Sequence, residues 1–214
     1  AIPGDFTIRF MTSHPKDATT ELFDTIAACE KVSRHFHLPF QSGNDRVLMA
    51  MNRRYTREQY LGLVQYARKV IPDISFTSDV IVGFPGETRS EFEDTLSLVK
   101  EVGFTSLFTF IFSPRKGTPA AEMDDPIPME TKTAWFKELS ELQEAVSAER
   151  LAKLIGTEQR ALLETAEDGY VEARLASNSV VRVEADPGMV GRYATIRIDD
   201  ARSWIMHGTV LSIE

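Results

Sequence analysis

Cysteine is all but missing from this chain. Cys29 is the only one in 214 residues, so no internal disulfide can form. A single thiolate cannot hold an iron–sulfur cluster or a structural zinc. Cys29 itself reads as a small buried helix residue. Long apolar runs are missing too. The longest, residues 107–112, is interrupted by Thr109 and is far too short to span a bilayer. No signal peptide opens the chain, because Ala1-Ile2-Pro3-Gly4-Asp5 has neither a basic start nor an apolar core; a cytoplasmic address is expected. Positive charge is not in excess either. Lys and Arg number 24 against 32 Asp and Glu, a net charge of −8, so nucleic acid has only a local basic patch to bind.

What is present is the composition of a globular protein, 43% hydrophobic and 26% charged. The most informative stretch is residues 76–88. Val80, Ile81 and Val82 predict a buried strand. Gly83, Pro85 and Gly86 then break it. Thr88 and Glu91 have capping-box spacing, so a helix follows at once. In parallel α/β folds ligands sit at such strand exits, and free N–H groups there favour an anion. A purely structural turn explains the same residues equally well. Gly83-Phe84-Pro85-Gly86 is not a Walker A loop, since no Lys follows the second Gly, and it lacks the dinucleotide spacing.

Taken in order, the chain predicts a strand at residues 6–11, a helix from about 17 to 33, and a short strand at 35–40. His35 and His37 share one face of that strand. With no third ligand nearby in sequence, hydrogen bonding is the favoured role over metal binding. A helix carries Val47, Leu48 and Met51, and its methionines, Met49 and Met51, are expected in the core. Thr56 with Gln59 opens another helix, which Pro72 stops. After the strand at 76–82 and the helix from 89 to 102 comes a fourth strand, 104–113. Alternation of this kind implies parallel pairing. Four units are too few to close a barrel of six or eight. The first strand is therefore expected to have an unpaired edge, open to dimerisation or strand swapping, and the chain to be the later part of a longer one. A helix of about 130–154 carries Trp135, Leu139, Leu142 and Val146, and Gly156 ends it.

Beyond residue 157 the texture changes to five short strands, at 159–165, 170–175, 180–183, 193–198 and 203–213. That pattern suggests a small closed barrel of the OB kind, a type that often binds single-stranded nucleic acid. Six arginines face ten carboxylates in this tail, so RNA binding requires the arginines to be segregated on one face.

Several motifs occur together: Ser13-His14-Pro15, His37-Leu38-Pro39-Phe40-Gln41-Ser42-Gly43 with Asp45-Arg46-Val47-Leu48, the run Asp79 to Thr88, and Ser113-Pro114-Arg115-Lys116-Gly117-Thr118-Pro119-Ala120. On these the chain resembles the radical-SAM methylthiotransferases, and their tRNA branch more than their ribosomal-protein branch. The resemblance implies an α/β fold. Residues 1–153 would be the later part of a (β/α) radical-SAM barrel with four parallel strands. Residues 155–214 would be an OB-like, all-β TRAM domain that binds RNA. It also implies conversion of N6-isopentenyladenosine beside the tRNA anticodon to its 2-methylthio form, with S-adenosylmethionine and two 4Fe-4S clusters in the parent protein. The family's Cys-x3-Cys-x2-Cys loop and its amino-terminal cluster domain are not in this sequence, so the chain alone is expected to be inactive and to hold no metal. By position, Gln41, Ser42, Asp79, Gly83, Gly86, Glu87 and Ser113 are the implied cofactor-binding residues. Arg53, Arg54, Arg115, Arg192, Arg197 and Arg202 are the candidates for RNA contact with the anticodon stem-loop. A non-catalytic RNA-binding piece, and an unrelated α/β enzyme using Asp79 with Glu87, are the competing readings.

Overall fold

The computed structural model describes residues 2–11, 14–167, 169–202 and 204–214. Ser13 of the first motif, Asp168 of the tail's acidic set and Ser203, the expected start of the last strand, lie outside the described residues. The elements are α1 (Thr20–Ala28), β1 (His35–His37), α2 (Asp45–Ala50), α3 (Arg57–Val70), β2 (Ser75–Val82), α4 (Arg89–Val102), β3 (Ser106–Ile111) and α5 (Met129–Ala152). Then come β4 (Glu158–Glu167), β5 (Tyr170–Leu175), β6 (Val180–Val183), β7 (Tyr193–Arg202) and β8 (Ile205–Ile213). Among the described residues, no helix is long and apolar enough to cross a membrane.

β1, β2 and β3 form a parallel sheet in that order. Phe36 pairs with Phe76 and His37 with Thr77; Asp79 pairs with Phe108 and Ile81 with Phe110. Alternation then sorts the side chains. Phe36, Phe76, Val80 and Val82 enter the helix-covered core with Phe23, Tyr60, Phe92 and Leu139. His35, His37, Thr77, Asp79, Ile81, Phe108 and Phe110 take the other face. Phe108 and Phe110 are exposed there.

The sheet therefore has three strands, not the expected four. Residues 6–11 make one parallel bridge, Ile8 with Val32, through Ile8 N–H to Lys31 O at 2.7 Å and Ser33 N–H to Ile8 O at 2.9 Å. The reason is a competing partner. Side chains alternate along the segment, and one set faces the C-terminal strands: Asp5 pairs with Arg160, Thr7 Oγ1 bonds Tyr193 Oη at 2.7 Å, and Arg9 meets Glu164 at 2.5 Å. Phe10, from the other set, packs edge-on against Phe36. The same bridge explains why α1 stops at Ala28 and not near residue 33, since residues 31–33 are needed in extended form. Cys29, expected inside that helix, is its half-buried C-cap. The cap of α2 is Asn44, whose carboxamide accepts from Arg46 and Val47 N–H.

α5 lies against β3 and α4, with Trp135 stacked on Phe92 at 5.0 Å. Its buried line is Lys132, Trp135, Leu139, Gln143, Ser147 and Leu151. Two of its polar members reach main-chain carbonyls, Gln143 to Phe104 at 2.9 Å and Ser147 to Thr105 at 2.7 Å, and Lys132 pairs with Asp125. Buried polar groups are tolerated when so partnered.

β4 to β8 close into a barrel in the order β4-β5-β6-β8-β7, with β7 returning to β4 and β6 parallel to β8. Ala161, Leu163, Val171, Ala173, Val181, Ala194, Ile196, Ile198 and Met206 fill it, and Leu151 of α5 joins that core. The barrel touches the amino ends of β1 and β2: Arg34 N–H donates to Ala176 O at 2.8 Å, and Ser75 Oγ to Ser177 O at 2.6 Å.

Both capping boxes read from the sequence form, Thr56 with Gln59 and Thr88 with Glu91. Replacing Thr56 by Ala should cost about 1 kcal/mol, read as a lower urea midpoint with an unchanged slope.

Candidate functional site

The sheet's carboxyl ends open onto a cleft of about 730 Å³, a size suited to a small-molecule ligand. One wall is Gln41 with Met51, Asn52 and Arg53. The floor is Asp79, Ile81 and Phe84. The far wall is Phe110 through Ser113 with Arg115 and Thr118. The backbone explains this assembly. After β1 the chain continues beside β2: Gln41 N–H donates to Asp79 O at 2.9 Å, and Gln41 O accepts from Ile81 N–H at 3.0 Å. Gln41 adopts φ +67, a left-handed conformation that a non-glycine residue holds only at a cost. That twist ends the pairing and leaves Gln41 on the cleft wall.

Gly83 ends β2 at φ +71. A Cβ built there would sit 2.5 Å from Lys132 Cγ of α5, so the glycine serves a close approach as well as a turn. Lys132 is itself buried. Its Nζ bonds Asp125 at 2.5 Å and lies over the Phe112 ring, which packs against Phe84. Two of the turn's N–H groups are already taken. Gly83 N–H and Phe84 N–H both donate to the Glu87 carboxylate, at 2.7 and 3.3 Å. The anion expected at this turn is thus the chain's own side chain. Burial pushes the Glu87 carboxyl up to about 7, opposed by those two donors. Arg46 ties the next turn down, bonding Gly86 O at 2.8 Å and pairing with Glu91.

Behind the cleft, on the open face of the sheet, His35 Nε2 and His37 Nδ1 each lie 2.9 Å from Thr77 Oγ1. His37 Nε2 faces Asp79 Oδ1 at 3.5 Å. Burial, then the neighbouring His37, then Arg9 lower the His35 imidazole to about 4. Among the described residues no group of His, Cys, Asp and Glu has the arrangement of a metal site.

Of the residues singled out from sequence, Gln41, Asp79, Ser113, Arg53 and Arg115 meet in the cleft. Ser42 is buried beside it and bonds Asn44 N–H at 3.3 Å. Gly83, Gly86 and Glu87 shape the turn behind Phe84 without lining the space. Asp79 and Glu87 do not face one another as an acid–base pair, since Glu87 is committed to the turn. Arg54 is exposed outside the cleft. Arg192 bonds Glu214 O, Arg197 pairs with Asp199 and Arg202 with Asp200. The cleft also takes residues that pattern reasoning passed over. Met51 lines it where helical spacing placed it in the core, and Met49 is exposed. Asn52, at φ +57, was marked by no motif. Phe110 followed only from strand alternation, and only once the register was known.

A model of the radical SAM superfamily matches residues 2–99. The chain is 43% identical over 213 residues to a protein of Acetivibrio thermocellus named tRNA-2-methylthio-N(6)-dimethylallyladenosine synthase, covering 98% of this chain and 44% of the relative. Proteins of the same name from Syntrophotalea carbinolica and Moorella thermoacetica are 46% and 42% identical, covering 89% and 99% of this chain and 44% and 48% of the relatives. The chain thus spans about half the length of the curated relatives it matches. Among solved structures, coproporphyrinogen III oxidase (HemN) from Escherichia coli, described as a radical SAM enzyme, superposes with a TM-score of 0.50 at 18% identity. The match covers 86% of this chain and 45% of that one, and it speaks to the fold alone.

The turn gives two predictions. Gly83→Ala should destabilise the chain by more than about 1 kcal/mol, because φ and space both oppose a Cβ; adding Lys132→Ala should recover part of that in a double-mutant cycle. Glu87 and His35 should act oppositely on stability as pH changes. Glu87, raised from 4.5 to about 7, binds more protons when folded, so its contribution is lost as pH rises through 7. His35, lowered from 6.5 to about 4, binds more protons when unfolded, so its contribution is lost as pH falls from 6.5 toward 4. Denaturation midpoints of Glu87→Gln and His35→Gln, each subtracted from wild type between pH 4 and 8, should slope in these opposite senses.

Proposed function

From the premise that this chain belongs to the radical-SAM methylthiotransferase family, we propose that it is the cofactor-cleft and RNA-binding portion of a tRNA-modifying enzyme. The parent's reaction is 2-methylthiolation of N6-isopentenyladenosine next to the anticodon. The observation that carries this reading is 43% identity across 98% of the chain to a relative bearing that name. The second support is the cleft, which lies at the strand ends where such a ligand is expected.

The residues present fit S-adenosylmethionine and do not fit an iron–sulfur cluster. The cleft has the volume for a nucleoside, a carboxylate in Asp79 and cations in Arg53 and Arg115. An ammonium or sulfonium is matched by Asp79, and a ligand carboxylate by either arginine. Gln41 and Ser113 offer neutral hydrogen bonds to ribose hydroxyls. The cofactor supplies the methyl group and the radical chemistry; this chain's residues bind and orient it. One half-buried cysteine cannot ligate a cluster, so both clusters of the parent are assigned to segments other than this one, and the chain by itself is inactive.

Residues 155–214 form the TRAM domain in this reading, and its OB-like barrel is the RNA module. The arginines fall into two groups by charge environment. Arg160, Arg174, Arg182, Arg197 and Arg202 are each paired with carboxylates on the barrel, which weakens them as phosphate ligands. Arg53 and Arg115, in contact with the cleft, are the stronger candidates to receive the anticodon loop. The site of action is taken to be cytoplasmic, where tRNA is modified.

An anticodon stem-loop carrying N6-isopentenyladenosine tests this. The 214-residue chain should bind it, with affinity falling as salt rises from 50 to 200 mM. The double variant Arg53→Ala/Arg115→Ala should flatten that salt slope by about two phosphate contacts. Equal binding by wild type and the double variant, at any salt, contradicts the assignment of those arginines. No binding at 50 mM contradicts the RNA role.

A further inference from the structure

The two buried histidines on the open face of the sheet are not explained by packing. Aliphatic side chains would fill the same space, and an imidazole taken out of water costs free energy unless its nitrogens are partnered. His35 and His37 are both nearly inaccessible, and both turn a ring nitrogen to the same hydroxyl, Thr77 Oγ1, at 2.9 Å. The outer nitrogen of His37 then faces Asp79, which lines the cleft.

The number of protons restricts what this row can be. Thr77 Oγ carries one hydrogen and can donate to one imidazole only. If it donates to His35, a neutral His37 must donate Nδ1–H to Thr77, and its Nε2 lone pair then points at the Asp79 carboxylate 3.5 Å away. That arrangement is repulsive. If Thr77 donates to His37 Nδ1, then His37 carries its proton on Nε2, toward Asp79, and His35 donates Nε2–H to Thr77. Every contact is then attractive. Burial, which lowers the His35 pKa to about 4, keeps that ring neutral in either arrangement, so the contact to Asp79 decides between them.

We propose that His37 is a positioning residue at the end of a one-way row, His35 to Thr77 to His37 to Asp79, which fixes the Asp79 carboxylate as an acceptor on the cleft floor. The cleft then selects, at that point, a ligand group that donates N–H or carries positive charge. The proton placement stands on geometry alone. The ligand half rests on the cofactor reading of the cleft given above, with S-adenosylmethionine as the probe.

Nitrogen-15 spectra of the histidine rings in the 214-residue chain test the row. At pH 7 both His35 and His37 should be Nε2–H tautomers. Thr77→Val should redistribute the His37 tautomers, and Thr77→Ser should restore them. In calorimetry with S-adenosylmethionine, Thr77→Val should weaken binding about fivefold and Asp79→Asn about tenfold, the loss of one charge-assisted contact, with Thr77→Ser close to wild type. A His37 proton on Nδ1, or on both nitrogens, overturns the row. Because wild type alone decides that, a Thr77→Val chain that fails to fold does not shield it. The expected tautomers with full affinity in Asp79→Asn overturn the selection of a donor. If wild type binds no S-adenosylmethionine, the cofactor reading of the cleft fails together with the ligand half, and the row is still judged by its spectrum.

Discussion

A buried carboxylate sets the shape of the site. Glu87 takes the N–H groups of Gly83 and Phe84 onto one carboxylate oxygen, Oε2, and this bends the chain sharply where β2 ends. Left-handed backbone at Gly83 makes the bend possible, and the stem of Lys132 fills the room a side chain would have used. Phe84 is thereby turned into the cleft, and Phe112 is held between it and the Lys132 ammonium. A residue of α5, about fifty positions downstream, thus buttresses the turn. The free N–H groups at a strand-to-helix junction usually invite an external anion; here those of Gly83 and Phe84 are taken from within. In the function proposed above, ligand recognition falls to the side chains at the mouths of the strands.

The cleft and the barrel lie at opposite ends of the sheet. The barrel touches the amino ends of β1 and β2 through Ala176 and Ser177, and α5 lends it Leu151 as a core residue. Residues 5–9 add a second tie, with Asp5, Thr7 and Arg9 turned to the barrel and Ile8 turned to the bridge at Val32. Shared core, main-chain bonds and side-chain pairs together fix the barrel against the sheet. The face running from one end to the other exposes Phe108 and Phe110, with Asp79 half-buried and His37 buried beside them.

Much of the fold was legible because local signals agreed with tertiary need. Thr56 with Gln59 and Thr88 with Glu91 announced their helices, since both halves of a capping box are visible in four residues. The barrel strands 170–175 and 180–183 matched residue for residue, because turn chemistry brackets them on both sides. Residues 6–11 failed for the opposite reason. Their alternation is real, but what it faces is the barrel at 160–193, and no local pattern records a partner that distant. The stripe of α5 was half seen. Gln143 and Ser147 belong to it and donate to carbonyls of residues 104 and 105, so hydrophobic spacing alone selected Leu142 and Val146. In the cleft, Gln41, Asp79 and Ser113 came from motifs. Met51 and Asn52 were hidden, because only the left-handed turn at Asn52 carries them to the wall.

The central claim is that Gln41, Asp79 and Ser113 enclose one ligand volume at the strand ends. It is tested most directly by backbone chemical-shift changes in the isotope-labelled chain as S-adenosylmethionine is added. Saturable shifts concentrated at residues 41, 79–84 and 110–115, with residues 158–213 unmoved, are the predicted result. Shifts confined to the barrel, or none at millimolar ligand, would contradict it.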